Sequence, residues 1–228
     1  YMGEQSKMNE DEIIPIYDDI VTFFPEFRLM INQIAHSASG YVLEIGVGTG
    51  LLTEKLLDNP NISELELMEL STRFIRKFNE KFPGLDVKQC DGLDYKGNKP
   101  YNTIVMSLVY HHVKDEDKLN FLKNMYENLS QKGRLIIGDM FIPYYASEIE
   151  RDYSLRKFHD SRIKRINNTQ IREIEIQALE DGLRRDGEWK TSYEILENQV
   201  KKIGFSNVSN INVGQQESGE YKVVIAHK

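Results

Sequence analysis

The sequence predicts an α/β fold: an open, seven-stranded, mostly parallel sheet with helices on both faces, finished by a C-terminal antiparallel hairpin. Three observations carry this expectation. Short apolar runs alternate with helical patterns from residue 41 to residue 139. Thr103-Ile104-Val105-Met106-Ser107 is apolar at nearly every position, as a central parallel strand covered on both faces requires. Two further strand-like runs, Ser206–Val213 and Tyr221–Ala226, lie close together near the end with a Gly/Ser/Glu turn between them.

The elements follow in order. Over residues 11–36, Ile13, Ile14, Ile16, Ile20, Phe23, Phe24, Leu29, Met30, Ile31 and Ile34 recur mostly at three- and four-residue spacing, which predicts helix, with Pro15 and Pro25 dividing it. Tyr41–Ile45 is a strand that runs into Gly46-Val47-Gly48-Thr49-Gly50, and a helix opens at Leu51. Leu65–Met68 is the second strand, 72–82 a helix with Phe74, Ile75 and Phe78 on one side, and Leu85–Gln89 the third strand. After the fourth strand at 103–107, residues 116–129 predict a helix ended by Gly133, and Arg134–Asp139 a fifth strand. Residues 145–186 are highly charged around an apolar stripe of Ile163, Ile166, Ile171, Ile174, Ala178, Leu179 and Leu183, which predicts two helices broken near Asn167-Asn168. Helix 191–203 ends at Gly204 before the final hairpin.

With 228 residues the expectation is one domain, 1–228, comprising an N-terminal helical cap (11–36), the sheet, and a helical insert at 145–190. A hydrophobic fraction of 40% and a charged fraction of 29% fit a globular chain, and no run approaches the roughly 20 apolar residues of a membrane span. The polar start, Tyr1 to Lys7, carries no apolar signal core. A single cysteine, Cys90, has no internal disulfide partner, so the cytoplasm is the expected compartment. The net charge of −7 weighs against broad nucleic-acid binding, which requires a basic surface.

The strongest chemical signal is Glu44-Ile45-Gly46-Val47-Gly48-Thr49-Gly50 between a strand and a helix. Glycines let the backbone approach a ligand, and the helix N-terminus offers free N–H groups. The Gly-x-Gly-x-Gly spacing brings the third glycine one residue earlier than the dinucleotide fingerprint, and an acid precedes the first glycine by two. Glu69 ends the second strand, where a carboxylate accepts ribose hydroxyls, and Asp91 ends the third, within reach of an adenine amino group. Either acid, alone, is also an ordinary exposed strand end or turn residue. Their joint placement at the carboxyl edge of successive strands is what points to a ligand site.

These residues resemble the class I, Rossmann-like family of methyltransferases that use S-adenosylmethionine (SAM). Val42–Gly50 resembles the first motif, Glu69 the ribose-binding acid, Asp91 the adenine-side acid and Asn102–Val113 the fourth-strand motif, over about residues 10–140 plus the C-terminal hairpin. Asn102 departs from the acid that many members carry there. The resemblance implies SAM as cofactor, bound by Glu44, Gly46, Gly48, Gly50, Glu69, Leu70, Asp91, Gly92, Leu93 and Ser107. It also implies methyl transfer to an O, N or C nucleophile of a small-molecule acceptor.

A base is needed only where the acceptor must lose a proton. His111 and His112, after the fourth strand, are the candidates, with loop capping or core packing as the alternative. No metal is expected, because adjacent histidines are poorly spaced for one ion and no third ligand lies nearby in the sequence. Tyr17 is a third catalytic candidate, folded over the cofactor or else at the edge of an amphipathic helix. The insert is placed to act as a lid over the acceptor, its stripe buried on the domain, on the cap helix or on a second subunit. Its arginines (Arg151, Arg156, Arg162, Arg165, Arg172) either pair with neighbouring glutamates or hold an anionic acceptor. The competing functions are a carboxy-SAM or tRNA-modifying enzyme and a non-catalytic SAM-binding protein. A NAD dehydrogenase is disfavoured by the glycine spacing and the terminal hairpin.

Overall fold

β-Branched and apolar residues at Gly40–Ile45 form β1, and the glycines that follow stop it before α4 (Leu51–Leu57). The computed structural model describes residues 10–214 and 220–228. The remaining strands are β2 (Ile62–Glu69), β3 (Val87–Gln89), β4 (Tyr101–Ser107), β5 (Leu129–Phe141), β6 (Ser206–Asn212) and β7 (Glu220–His227). They form one sheet in the order β3-β2-β1-β4-β5-β7-β6. β1 to β5 are parallel, and β7 runs antiparallel to both β5 and β6. The chain order reverses beside β1, which opens a crevice at the carboxyl ends of β1 and β4. The start of the final hairpin's turn is described only to Gly214; most of it lies outside the described residues, as does the polar N-terminal stretch.

Because strand side chains alternate between faces, the sheet supports two cores. Leu43, Ile45, Ile104, Met106, Leu135 and Ile137 pack against Phe121, Leu122 and Met125 of α6 (Lys118–Asn128) and Leu196 and Val200 of α9 (Tyr193–Ile203). Their neighbours Val42, Val105, Ile136 and Val223 face the other way, onto Phe27, Met30, Ile31 and Ile34 of α3 (Pro25–Ser37). The N-terminal cap is broken where the prolines require: α1 (Glu10–Ile13) passes into a 3-10 turn holding Pro15, then α2 (Tyr17–Thr22), and Pro25 begins α3, where its missing N–H costs nothing. The helix after β2, α5 (Thr72–Lys81), is capped by the Ser71 hydroxyl.

Three sequence expectations shift. The helix expected to reach 129 ends at Asn128, and β5 begins at Leu129, with Gly133 inside the strand. A Cβ on Gly133 would lie 2.9 Å from the Tyr101 carbonyl, so this glycine permits close backbone approach and does not stop a helix. The third strand is shorter than expected because Leu85 is used in the turn after α5, its N–H donating to the Phe82 carbonyl. The second is longer at its start.

The insert forms α7 (Glu148–Arg165) and α8 (Thr169–Arg184), split where Asn168 caps α8 by accepting from the Ile171 amide at 3.1 Å. Leu155 and Phe158 pack with Leu179 and Leu183 between the two helices. Ile166 and Ile171 join Val21 and Phe24 of the cap, so this part of the stripe is buried within one chain. No helix of the described residues is long and apolar enough to cross a membrane.

Candidate active site

The glycine turn is tied to β2 from both sides. The Gly46 and Val47 amides donate to the Met68 carbonyl, and Glu69 reaches back so that its Oε2 accepts from the Gly48 amide at 3.0 Å. Glu69 Oε1 meanwhile accepts from the Leu70 and Ser71 amides at 2.8 and 2.9 Å. Glu69 therefore braces the turn, a role its place in the sequence does not disclose, and Oε2 keeps a lone pair for a further donor. Gly46 and Gly50 close against Val109 and Phe82, whereas a side chain on Gly48, whose φ is +53°, would meet nothing within 4 Å. The open side of Gly48 is a space that ligand atoms can enter. Glu44 lies beneath the turn, 1% exposed, with Oε2 accepting from the Thr53 hydroxyl at 2.7 Å and Oε1 without a partner among the described residues. Burial pushes its carboxyl up to about 8, with the Glu69 charge adding and the Thr53 hydroxyl opposing.

Beside this turn a cavity is lined by Leu70, Asp91, Leu93, His112, Val113 and Trp189. Asp91 Oδ1 accepts from the Leu93 amide at 2.9 Å, shaping the loop, and the Gly92 carbonyl accepts from Asn124 of α6 at 2.8 Å.

At the end of β4 the Ser107 hydroxyl is buried without a partner, and Leu108 takes the left-handed conformation at φ +55°. Such strain in a non-glycine residue persists only where the surroundings hold it. Next comes a 3-10 turn, Tyr110–His112. His111 is fixed by Asp139 of β5: its amide donates to Oδ2 at 3.0 Å and its Nδ1 meets Oδ1 at 2.5 Å. The Met140 amide also donates to Oδ1 at 2.7 Å, so this acid acts as an acceptor and Nδ1 carries the hydrogen. The Nε2 lone pair is thereby left facing Glu188, 3.9 Å away. His112 donates from Nδ1 to the Gly187 carbonyl at 2.7 Å, and burial holds it far below the usual imidazole range, hence neutral.

Residues 187–191 are laid across this turn by a clamp. Trp189 N–H donates to the His111 carbonyl at 2.7 Å, and buried Lys118 donates to the Val113 and Trp189 carbonyls at 2.8 Å each. The clamp delivers Glu188 and Lys190, both buried and hydrogen-bonded to each other, beside the two histidines. Burial opposes ionisation of Glu188, but the Lys190 ammonium beside it outweighs that and holds the carboxyl down to about 2. The premise that no third metal-type ligand lies near the histidine pair is therefore corrected: Glu188 stands within 4.8 Å of both, brought there by tertiary contacts the local spacing could not reveal.

A second cavity is enclosed by the cap, this turn and the insert. Tyr17, Leu108, His111, His112, Met140, His159, Arg162, Glu175, Glu188, Lys190 and Tyr221 are on its wall. Tyr17 packs edge-on against Phe74 of α5 at 5.2 Å, and burial holds its phenol protonated. Neighbouring Asp18 accepts from the Thr49 hydroxyl at 2.5 Å, joining cap to glycine turn. Arg162 is the insert arginine on this wall, and it is already engaged: Nε donates to Glu175 at 2.6 Å, NH1 to the Tyr221 hydroxyl at 3.0 Å, and the guanidinium lies 3.8 Å over the Phe24 ring. That pairing removes the charge an anionic acceptor would use.

A methyltransferase domain family matches residues 43–135. An uncharacterized methyltransferase of Geobacillus sp. (strain WCH70) is 31% identical over 200 residues, 86% of this chain and 84% of that protein. The chain belongs to the class I, SAM-dependent methyltransferase family. A second uncharacterized methyltransferase, from Staphylococcus carnosus (strain TM300), is 32% identical over 139 residues, covering 60% of this chain and 66% of its own length. Among solved structures, the N-methyltransferase NodS of Bradyrhizobium japonicum WM9, crystallised with S-adenosyl-L-homocysteine, shares the fold at a TM-score of 0.55 and 17% identity, covering 89% of this chain and 84% of that one.

In this methyltransferase Tyr17, His111 and His112 line one cavity and Leu70, Asp91, Leu93 and His112 the other, while Glu44, Gly46, Gly48, Gly50, Glu69, Gly92 and Ser107 are on the wall of neither. Sequence reasoning missed Glu188, Lys190 and His159 and gave no role to Asp139. For Asp139, an acid at the end of a central strand, opposite a histidine turn on the neighbouring strand, was the available signal. Glu188 and Lys190 carried none, since the contact of their loop with His112 spans 75 residues.

Proposed function

We propose that this methyltransferase transfers the methyl group of SAM to a protic nitrogen or oxygen of a small molecule held between Tyr17, His111 and the insert. The observation that carries the reading is His111. Asp139 fixes its ring and tautomer, and its free Nε2 lies on the wall of the cavity that the cap and insert enclose. The fit to SAM rests on the open side of Gly48, the spare lone pair of Glu69 Oε2, the unpartnered Glu44 Oε1 and Ser107 Oγ, and a second cavity lined by Leu70, Asp91 and Leu93. When bound, SAM supplies an electrophilic methyl on a sulfonium, a good leaving group, so positioning accounts for much of the acceleration.

The protein's own residues then do three things. Tyr17, α7 and α8 enclose the acceptor and exclude water. His111 Nε2 accepts the acceptor's proton, and the imidazolium so formed lies between Asp139 and Glu188, two groups that favour its charge. The 187–191 clamp fixes the wall opposite the histidines. His111→Asn tests this: transfer should fall by about 10²–10⁴-fold while S-adenosylhomocysteine affinity is kept. A folded variant that transfers at the parental rate would remove His111 as the base. Binding of NAD in place of SAM would remove the reading as a whole.

A further inference from the structure

Resting on that reading, we infer that the acceptor is an amine bound as its ammonium, gripped between the Glu188 carboxylate and His111 Nε2, so that Glu188 selects the substrate class.

Glu188 Oε2 and His111 Nε2 are 3.9 Å apart. A nitrogen about 2.8–2.9 Å from each, the usual hydrogen-bond length, subtends an angle of about 85–90° between them, about 20° less than two N–H bonds of one ammonium span, so each hydrogen bond bends by only about 10°. A metal ion at about 2.0–2.1 Å from the same two atoms would be forced to about 140°, far from tetrahedral. The gap is the wrong size for a zinc-like ion and a suitable one for a nitrogen bearing two hydrogens. Glu188 already accepts one ammonium, that of Lys190, and a carboxylate offers about four lone-pair sites, so a second donor can be added.

The chemistry of the wall points the same way. Three imidazoles border this cavity, and each has its Nδ1 turned to an acceptor: Asp139, the Gly187 carbonyl and Glu175, the last at 2.8 Å from His159. Their Nε2 atoms are left as lone pairs, and that of His159 is buried without a partner among the described residues. A wall of acceptors calls for a ligand that donates. The wall's own charges balance, with Glu175 paired to Arg162 and Glu188 to Lys190, so both cations are already engaged by carboxylates while the imidazole Nε2 lone pairs are left for a donor such as an ammonium. In the proton step, one N–H bond of the ammonium breaks, its proton passes to His111 Nε2, and the bonding pair stays on nitrogen as the nucleophile's lone pair. The second N–H remains on Glu188.

The 228-residue chain, saturated with S-adenosylhomocysteine, is titrated with ethanolamine, benzylamine and n-butylamine and with the matching hydroxyl compounds, ethylene glycol, benzyl alcohol and n-butanol. Transfer from SAM to each is followed by mass spectrometry. The amines should bind at least about tenfold more tightly than their hydroxyl counterparts. Glu188→Gln should erase that preference and raise KM for the amine more than it lowers kcat, Glu188→Asp should restore part of it, and S-adenosylhomocysteine affinity should stay constant throughout. Amines that bind no better than the alcohols, or not at all, overturn the inference, as does a Glu188→Gln protein that keeps the preference. Zn²⁺ bound by the parent and lost in Glu188→Gln, without an amine preference, also overturns it in favour of a metal site. Transfer to a hydroxyl probe without that preference removes the ammonium grip and leaves the methyl-transfer reading standing. Failure to bind S-adenosylhomocysteine removes that reading and the inference with it.

Discussion

Replacing Glu44 by glutamine should flatten the pH dependence of folding stability in the absence of cofactor. Glu44 is buried under the glycine turn, and its carboxyl is pushed from 4.5 up to about 8. The unfolded chain releases this proton near 4.5 and the folded protein only near 8, so between those values the folded state holds one proton more. Stability must fall as pH rises through that window, by up to about 5 kcal/mol once both states have lost the proton. Between about pH 6 and about pH 9 the same linkage removes about 3 kcal/mol. Glutamine has the shape of the protonated acid and nothing to titrate, and its carbonyl still accepts from Thr53. Urea unfolding of parent and Glu44→Gln at those two pH values, read by fluorescence of Trp189, the chain's single tryptophan and a buried one, measures the difference directly. Other groups titrate alike in both proteins and cancel. The gap should move by about 3 kcal/mol in favour of glutamine at the higher pH. A gap that does not change would mean that Glu44 is already ionised in the folded protein, and the argument from its burial would be wrong.

Glu69→Ala should weaken SAM binding by about 1–3 kcal/mol and also lower stability, because the Gly48, Leu70 and Ser71 amides lose their acceptor; calorimetric titration with unchanged affinity would make Glu69 a brace only. Lys118→Met should leave S-adenosylhomocysteine affinity nearly constant but reduce transfer, since it frees the Trp189 carbonyl and loosens the clamp that holds Glu188; parental turnover in a folded variant would refute that coupling. Phe158→Ala, at a fully buried position between α7 and α8, should cost about 3–5 kcal/mol in thermal or urea unfolding, and a loss below about 1 kcal/mol would show that the insert is not packed as described. Replacing 147–185 by a short polar linker should preserve SAM binding while abolishing transfer, and a folded variant that still transfers at the parental rate would end the lid proposal.

What the sequence determined by itself was set by local physics. A glycine turn between an apolar run and a helical pattern marks a strand-to-helix passage, Pro25 divides the N-terminal helix, and Asn167-Asn168 marks the break between the insert's two helices. The nearly unbroken apolar run at 103–107 likewise marked a central strand covered on both faces, and the acids at the end of β2 and just after β3 stood out because strand ends share one rim. Gly133 was misread because a glycine that stops a helix and one that admits a neighbouring backbone look alike until Tyr101 is beside it. The wall of the acceptor cavity was decided only by tertiary structure. Glu188, Lys190, His159 and Glu175 belong to segments with no periodic relation to the strand-four turn; Lys118 and Trp189 tie the 187–191 segment to that turn, and Arg162 on Tyr221 with Ile166 and Ile171 on the cap anchors the insert beside it. Periodicity reports which way a side chain faces its own element. The partner that will stand opposite depends on long-range closure, whose cost and reward are spread over the whole core.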